Sequence, residues 1–178
     1  MDVIALIQKY TAGNEPLERI LLGHSQAVRD KALELADAKS LPVDRLFVAE
    51  AAMLHDVGIV CVDAPSIHCH GTQPYICHGV EGRRILEAEG LPRHALVCER
   101  HTGSGISVAQ IEAQGLPLPR RDMLPVSLEE MLICYADKFY SKSRDLRQAK
   151  PVERIIEQMR AHGQEAYERF MHLHALFS

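Results

Sequence analysis

Six histidine and aspartate side chains stand out as potential metal ligands. They are His24, His55, Asp56, His78, His101 and Asp137. On its predicted helix, His24 lies three residues after Leu21 and four before Val28, which puts it on the apolar face. His101 and Asp137 likewise follow apolar residues of their own helices. One shared metal centre would satisfy these inward-facing polar groups together, and helical bundles hold metals in this way.

The adjacent pair His55 and Asp56 lies within an apolar stretch, AEAAMLHDVGIV at residues 49–60. Successive residues on a helix point about 100° apart, so both side chains can reach one centre only where the helix ends. Gly58 supplies that end two residues after Asp56. We therefore predict that the pair chelates a metal at a helix terminus.

The types of ligand indicate which ions would bind. A mixed set of imidazoles and carboxylates suits Fe, Mn or similar borderline ions, whereas a set of thiolates would favour zinc. Fe and Mn are therefore the expected metals, with Zn, Ni, Co and Mg as alternatives.

Helices must position these ligands, because apolar residues recur every three or four positions along most of the chain. The spacing predicts helices at about 2–11, 16–38, 43–56, 78–89 and 92–101, a short helix in SVAQIEAQG, one from 127 to about 143, and a last one over 151–177. Ser127 and Glu130 form a predicted capping box, and Gly163 marks a bend. Residues 59–76 lack periodicity and are predicted to be a loop with room for short helical turns. The expected fold is one all-α domain over residues 1–178.

The composition argues against several classes of protein. With 47% hydrophobic and 25% charged residues, the chain has the balance of a folded soluble domain and not of a disordered one. A net charge of -4 argues against nucleic acid or an anionic membrane surface as a partner. No apolar run approaches the roughly 20 residues of a membrane span, and no signal peptide is evident. We expect a cytoplasmic protein with reduced cysteines, and a homodimer is left open.

The ligand order carries a family resemblance. A histidine, the pair in HDVG, two further histidines and a late aspartate resemble the HD-domain superfamily of metal-dependent phosphohydrolases. The stretches HGVEGRRILEAEG, ERHTGSG and YADKF are similar to those of bacterial HD-type hydrolases that split diadenosine tetraphosphate symmetrically. The resemblance spans about residues 20–145 and implies an HD-domain helical bundle with its metal site in the core.

This resemblance implies a binuclear centre. His24, His55, Asp56 and Asp137 would bind one divalent ion, while His78 and His101 would complete a second site that Asp56 bridges. Two ions hold a hydroxide and accept the charge that develops on a phosphoryl group. The implied activity is hydrolysis of a phosphate ester or anhydride of a nucleotide or another small phosphorylated metabolite.

A phosphorylated substrate also requires cations outside the metals. Lys138 directly follows the ligand Asp137, and we predict for it both a catalytic and a substrate-binding role, alongside Asp56 as the bridging catalytic carboxylate. The other candidates for substrate binding are Arg144, Arg83 and Arg84.

One departure from the resemblance follows the His-Asp pair. Many relatives with two metals have lysine or another polar residue directly after the glycine, whereas Ile59 and Val60 follow Gly58 here. A cation that could meet substrate phosphate is therefore missing at this position, which leaves the identity of the substrate open.

Other interpretations fit parts of the pattern. Some HD proteins use the same ligands to hold a mixed-valence iron pair that cleaves a carbon–hydrogen bond with O2, and a regulatory module could bind metals without turnover. Activity with redox-silent manganese would favour the hydrolase, and dependence on iron and O2 the oxygenase. The segment from Cys61 to His78, which also holds His68, Cys69 and His70, is interpreted either as a lid over the metals or as a separate zinc site.

Overall fold

A computed structural model describes residues 1–142 and 145–178. Within them the α-helices are α1 Val3–Thr11, α2 Glu15–Ala38, α3 Arg45–Leu54, α4 His78–Ala88, α5 Pro92–Arg100, α6 Val108–Gln114, α7 Leu128–Asp137, α8 Val152–Ala161 and α9 Gln164–Phe177. The predicted all-α fold is confirmed. That the whole chain forms one domain stays a prediction. No helix of the described residues is long and apolar enough to cross a membrane.

The predicted loop between α3 and α4 contains several short elements. It holds the 3₁₀ helices Val57–Cys61, Pro65–Ile67 and Tyr75–Cys77, and the strands β1 Asp63–Ala64 and β2 Cys69–His70. The two strands pair antiparallel, with Asp63 opposite His70. The 3₁₀ helices agree with the predicted short helical turns, whereas two-residue strands leave no periodic signature in a sequence and were not predicted.

Side-chain caps fix where the main helices begin. Asn14 accepts a hydrogen bond from the backbone N–H of Leu17 at the start of α2. Ser127 accepts one from Glu130 at the start of α7, as predicted. The other half of the predicted capping box is wrong, because the Glu130 carboxylate accepts hydrogen bonds from the Val126 N–H and Arg100 instead.

Two helix ends differ from the prediction. Helix α7 ends at Asp137 and not near 143, since the N–H groups of Phe139 and Tyr140 bond to carbonyls three residues back and tighten the chain out of the α-helix. The single helix predicted over 151–177 is instead two helices, α8 and α9, with a break at Gly163. The backbone φ of Gly163 is 110°, which glycine adopts readily but which is strained for other residues. The first helix therefore ends here, whereas the prediction was a bend within one helix.

Three apolar clusters fill the interior of the described residues, and two of them include residues of α2. One contains Val28, Ile133 and Phe170, and joins α2, α3 and α7 to the C-terminal helices. The other contains Leu21 and Leu54 and joins α1, α2 and the segment that follows α3. Helix α2 contributes to both clusters, and His24 lies on it between Leu21 and Val28.

Candidate metal centre

Helix ends bring the candidate ligands together. His55 directly follows α3, His101 directly follows α5, and Asp137 is the last residue of α7. His78 opens α4, and only His24 lies in the middle of a helix. All six side chains are buried. They form two groups capable of holding a metal ion, one of His24, His55, Asp56 and Asp137, the other of Asp56, His78 and His101.

Asp56 is shared by the two groups through its two different oxygens. Its Oδ2 lies 3.1 Å from Nε2 of His24 and 3.1 Å from Nε2 of His55. Its Oδ1 lies 3.5 Å from Nε2 of His78 and 3.3 Å from Nε2 of His101. This is the geometry of a carboxylate that bridges two cations.

The backbone orients three of the imidazole rings. The Nδ1–H groups of His55, His78 and His101 each donate to a carbonyl three residues earlier, at 2.7 Å in every case. A second hydrogen bond of this kind fixes the tautomer of a metal-binding histidine and turns the other ring nitrogen towards the metal. The Nε2 atoms of all three rings therefore point at Asp56.

The Nε2 atoms of His78 and His101 lie 3.2 Å apart. Burial and the neighbouring His101 lower the pKa of His78 to about 3, and burial lowers the pKa of His101. Both rings are therefore neutral at pH 7, with Nδ1 protonated, and two lone pairs face each other. Because Oδ1 of Asp56 is also buried without a hydrogen bond, this donor set fits a divalent cation.

The carboxylates also favour positive charge at His55. Burial alone would lower the pKa of this ring, but Asp56 and Asp137 outweigh burial and raise it to about 9. Asp56 and Asp137 stay ionised, because nearby cations hold their pKa values well below the usual range in spite of burial. The centre thus combines two carboxylates with the neutral rings of His78 and His101, and its attraction for positive charge at His55 likewise favours a bound cation.

Two lysines contact the aspartates. Lys138, a predicted site residue, places Nζ 2.7 Å from Oδ2 of Asp137 and 3.2 Å from the His101 carbonyl. Lys142, which we did not predict, places Nζ 2.7 Å from Oδ2 of Asp56. On a continued helix, a residue five positions after Asp137 would point away from it. The early end of α7 returns Lys142 to the centre.

The predicted arginines lie elsewhere or outside the described residues. Arg83 pairs with Glu87 at 2.8 Å and with buried Glu99 at 2.6 Å, and Arg84 pairs with Glu81 at 2.9 Å. These ion pairs engage both guanidinium groups, so a substrate contact by either stays a prediction. Arg144 falls outside the described residues.

The alternative zinc site between Cys61 and Cys77 has no structural counterpart. In residues 1–142 and 145–178, the groups able to hold a metal ion are the two that share Asp56. Ser66 and Tyr75 of this segment instead line a cavity that reaches Lys142. That position agrees with a cover over the centre.

Metal binding is expected to stabilise the fold. An ion at about 100 times its Kd adds about 2.7 kcal/mol to the free energy of unfolding. In a chain of this size, that corresponds to a rise in Tm of about 5 °C or more. Melting curves of chelator-treated protein, titrated with Mn²⁺, would measure it. Calcium, which prefers all-oxygen ligands, serves as the control ion, and an equal shift with both ions would contradict a specific imidazole site.

Comparisons with known proteins agree with this arrangement. A family model described as HD domain matches residues 21–142. The chain is 33% identical over 132 residues to a tRNA (cytidine(56)-2'-O)-methyltransferase of Picrophilus torridus, covering 74% of this chain and 34% of that protein. It is 30% identical over 175 residues to a protein of the same name from Thermoplasma volcanium, covering 97% and 45%.

A third relative is an uncharacterized protein of Methanocaldococcus jannaschii, 39% identical over 118 residues, covering 64% of this chain and 62% of that protein. The chain therefore spans less than two thirds of each of these relatives. No solved structure matches it significantly.

Proposed function

This chain belongs to the HD domain family, and we propose that it is a binuclear metal-dependent phosphohydrolase. The observation that carries the proposal is the position of Asp56, whose two oxygens each face a different pair of histidine Nε2 atoms inside a buried centre. When bound there, divalent ions supply electrophilic stabilisation of a phosphoryl group and lower the pKa of water.

The residues of the chain have separate roles in this proposal. His24, His55 and Asp137 hold one ion, His78 and His101 hold the second, and Asp56 joins the two. The backbone carbonyls that accept hydrogen bonds from the Nδ1–H groups hold the histidine rings in orientation. The ligands therefore need little reorganisation when an ion binds. Lys138 and Lys142 orient the carboxylates and place positive charge beside the reacting phosphoryl group.

We propose a small phosphorylated molecule, in particular a nucleotide, as the substrate. The net charge of -4 provides no general attraction for nucleic acid or a membrane surface. The narrower similarity to hydrolases of diadenosine tetraphosphate remains one candidate within this class. Methyl transfer is not proposed for this chain, because the matched region covers only 34% and 45% of the two tRNA methyltransferases.

The test is elemental analysis of protein purified without chelator, combined with a screen of substrates. Mononucleotides, dinucleotides and dinucleoside polyphosphates would be assayed for phosphate release with Mn²⁺ and with Fe²⁺. We expect up to two ions per chain and manganese-supported release of phosphate or a nucleotide. Turnover that requires both iron and O2 would favour the oxygenase instead. Bound metals with no hydrolysis of any substrate would favour a regulatory module.

Loss of the Lys138 side chain should slow turnover without removing metal. Its ammonium contacts Asp137 and the His101 carbonyl but is not itself a metal ligand. We expect Lys138→Ala to lower kcat about 100- to 1,000-fold, the usual range for one preorganised electrostatic group at a reacting centre, with unchanged metal content. Lys9→Ala, which removes an exposed cation of α1, is the control. A large loss of metal in Lys138→Ala would show that the lysine acts on the ligands and not on substrate.

A further inference from the structure

A polar cavity adjoins the metal centre. Its volume is about 430 Å³, within the range of small-molecule sites, and its lining includes Ser66, Tyr75, Tyr140, Lys142 and Lys150. Lys142 connects it to the centre, because the same ammonium that lines the cavity lies 2.7 Å from Asp56. The Tyr75 ring packs against the His78 ring, with 4.9 Å between their centroids. The side chains of Lys142 and Tyr75 therefore lie between the cavity and the ligands.

The charges around this cavity are unbalanced. Lys138 pairs with Asp137 and Lys142 pairs with Asp56, both at 2.7 Å. Lys150 forms no ion pair with any carboxylate of residues 1–142 and 145–178. Burial lowers the pKa of Lys150, and the charges of Lys138 and Lys142 lower it further, against an opposing effect of Asp137. Three lysines thus face two carboxylates, and divalent ions would add more positive charge. An anion is the complementary ligand.

The positions of Lys142 and Lys150 indicate how many phosphoryl groups of a substrate they bind. Lys142 touches Asp56 and so lies within reach of a phosphoryl group held at the metals. Lys150 lies in the same cavity and has no carboxylate partner among the described residues. Building on the proposed hydrolase function, we infer that Lys150 binds a second phosphoryl group next to the reacting one. The preferred substrate class is then a phosphoanhydride and not a simple phosphate monoester.

Two non-hydrolysable probes that differ by one phosphoryl group test this inference. Methylphosphonate carries one such group and methylenediphosphonate carries two. Calorimetric titrations at a buffered free Mn²⁺ concentration would give the Kd of each probe for wild type, Lys150→Met and Lys150→Arg. We expect Lys150→Met to weaken methylenediphosphonate about tenfold or more, as for loss of a charge-assisted hydrogen bond. Methylphosphonate should change less than about twofold.

Control variants separate this effect from folding and from loss of surface charge. Lys150→Arg keeps the charge and should retain most of the affinity for methylenediphosphonate. Lys9→Met removes a cation that is 60% exposed and pairs with Glu89, and should change neither Kd. Melting curves and metal content would verify that each variant is folded and loaded.

The affinities of the two probes decide whether Lys150 binds a second phosphoryl group. The assignment of Lys150 to a second phosphoryl group is overturned if Lys150→Met leaves both affinities unchanged or weakens both probes equally. It is also overturned if wild type binds methylphosphonate more tightly than methylenediphosphonate. If methylenediphosphonate binds through Lys150 but neither a phosphate ester nor a phosphoanhydride is hydrolysed, the anion site stands and the proposed hydrolase function fails.

Discussion

Replacing Asp56 with asparagine is expected to remove metal binding and to lower hydrolysis by roughly 10³-fold or more. Asp56 is the side chain common to both groups of ligands, with one oxygen directed at each. Asparagine keeps the shape but loses the charge and turns one acceptor into an NH2 donor. One oxygen cannot bridge two ions as a carboxylate does. Both sites should therefore fail together, as measured by elemental analysis and phosphate release.

The same substitution has a cost for folding that must be separated from its effect on metal. Lys142 is buried against Asp56, which raises the pKa of this lysine in spite of burial. Removing one partner of a buried ion pair typically costs about 3–5 kcal/mol. The double variant Asp56→Asn with Lys142→Met removes both charges, and we expect it to melt at a higher temperature than Asp56→Asn alone.

A carboxylate of the same segment provides the control for this experiment. Asp63 is exposed on β1, and Asp63→Asn should retain full metal content and activity. If Asp56→Asn bound two ions and turned over at the wild-type rate, the centre described here would not be the active site.

Helical periodicity explains why much of this centre could be predicted from the sequence. His24 occupies a position on α2 between Leu21 and Val28 that packing requires to be buried, and a histidine there needs a polar partner. The early break at Gly58 likewise predicts that His55 and Asp56 lie at a helix end. Both inferences need only the geometry of one helix, which the local sequence determines.

The cations of the site depend on contacts that local sequence does not encode. Lys142 reaches Asp56 because α7 ends at Asp137, five residues earlier. Its ammonium supplies a cation beside Asp56, whereas no cation directly follows Gly58 in the sequence. Arg83 is directed at Glu99 on α5 by packing of α4 against that helix. Helix ends and tertiary ion pairs of this kind are decided by neighbouring elements, so periodicity predicts the ligands better than the cations around them.

Replacing Gly58 with alanine is expected to destabilise the fold strongly. A Cβ atom at this position would lie 2.0 Å from the His78 carbonyl oxygen and 2.2 Å from the Gly82 nitrogen, both in the backbone of α4. Backbone atoms cannot rotate away, so the 3₁₀ helix Val57–Cys61 and α4 must separate. We expect a loss of about 3 kcal/mol or more, which lowers Tm by about 6–12 °C.

The damage from Gly58→Ala should extend to metal affinity, because Asp56 and His78 lie on the two elements that are forced apart.

Gly23→Ala is the matched control. Its Cβ would meet only the Cδ1 atom of Leu146, at 2.8 Å, and that flexible tip can move. Alanine also favours helix α2 by up to about 1 kcal/mol relative to glycine. Gly23→Ala should therefore remain within about 1 kcal/mol of wild type and bind metal normally. A Gly58→Ala protein with unchanged Tm and metal affinity would contradict the close contact between these elements, and with it the relative placement of Asp56 and His78.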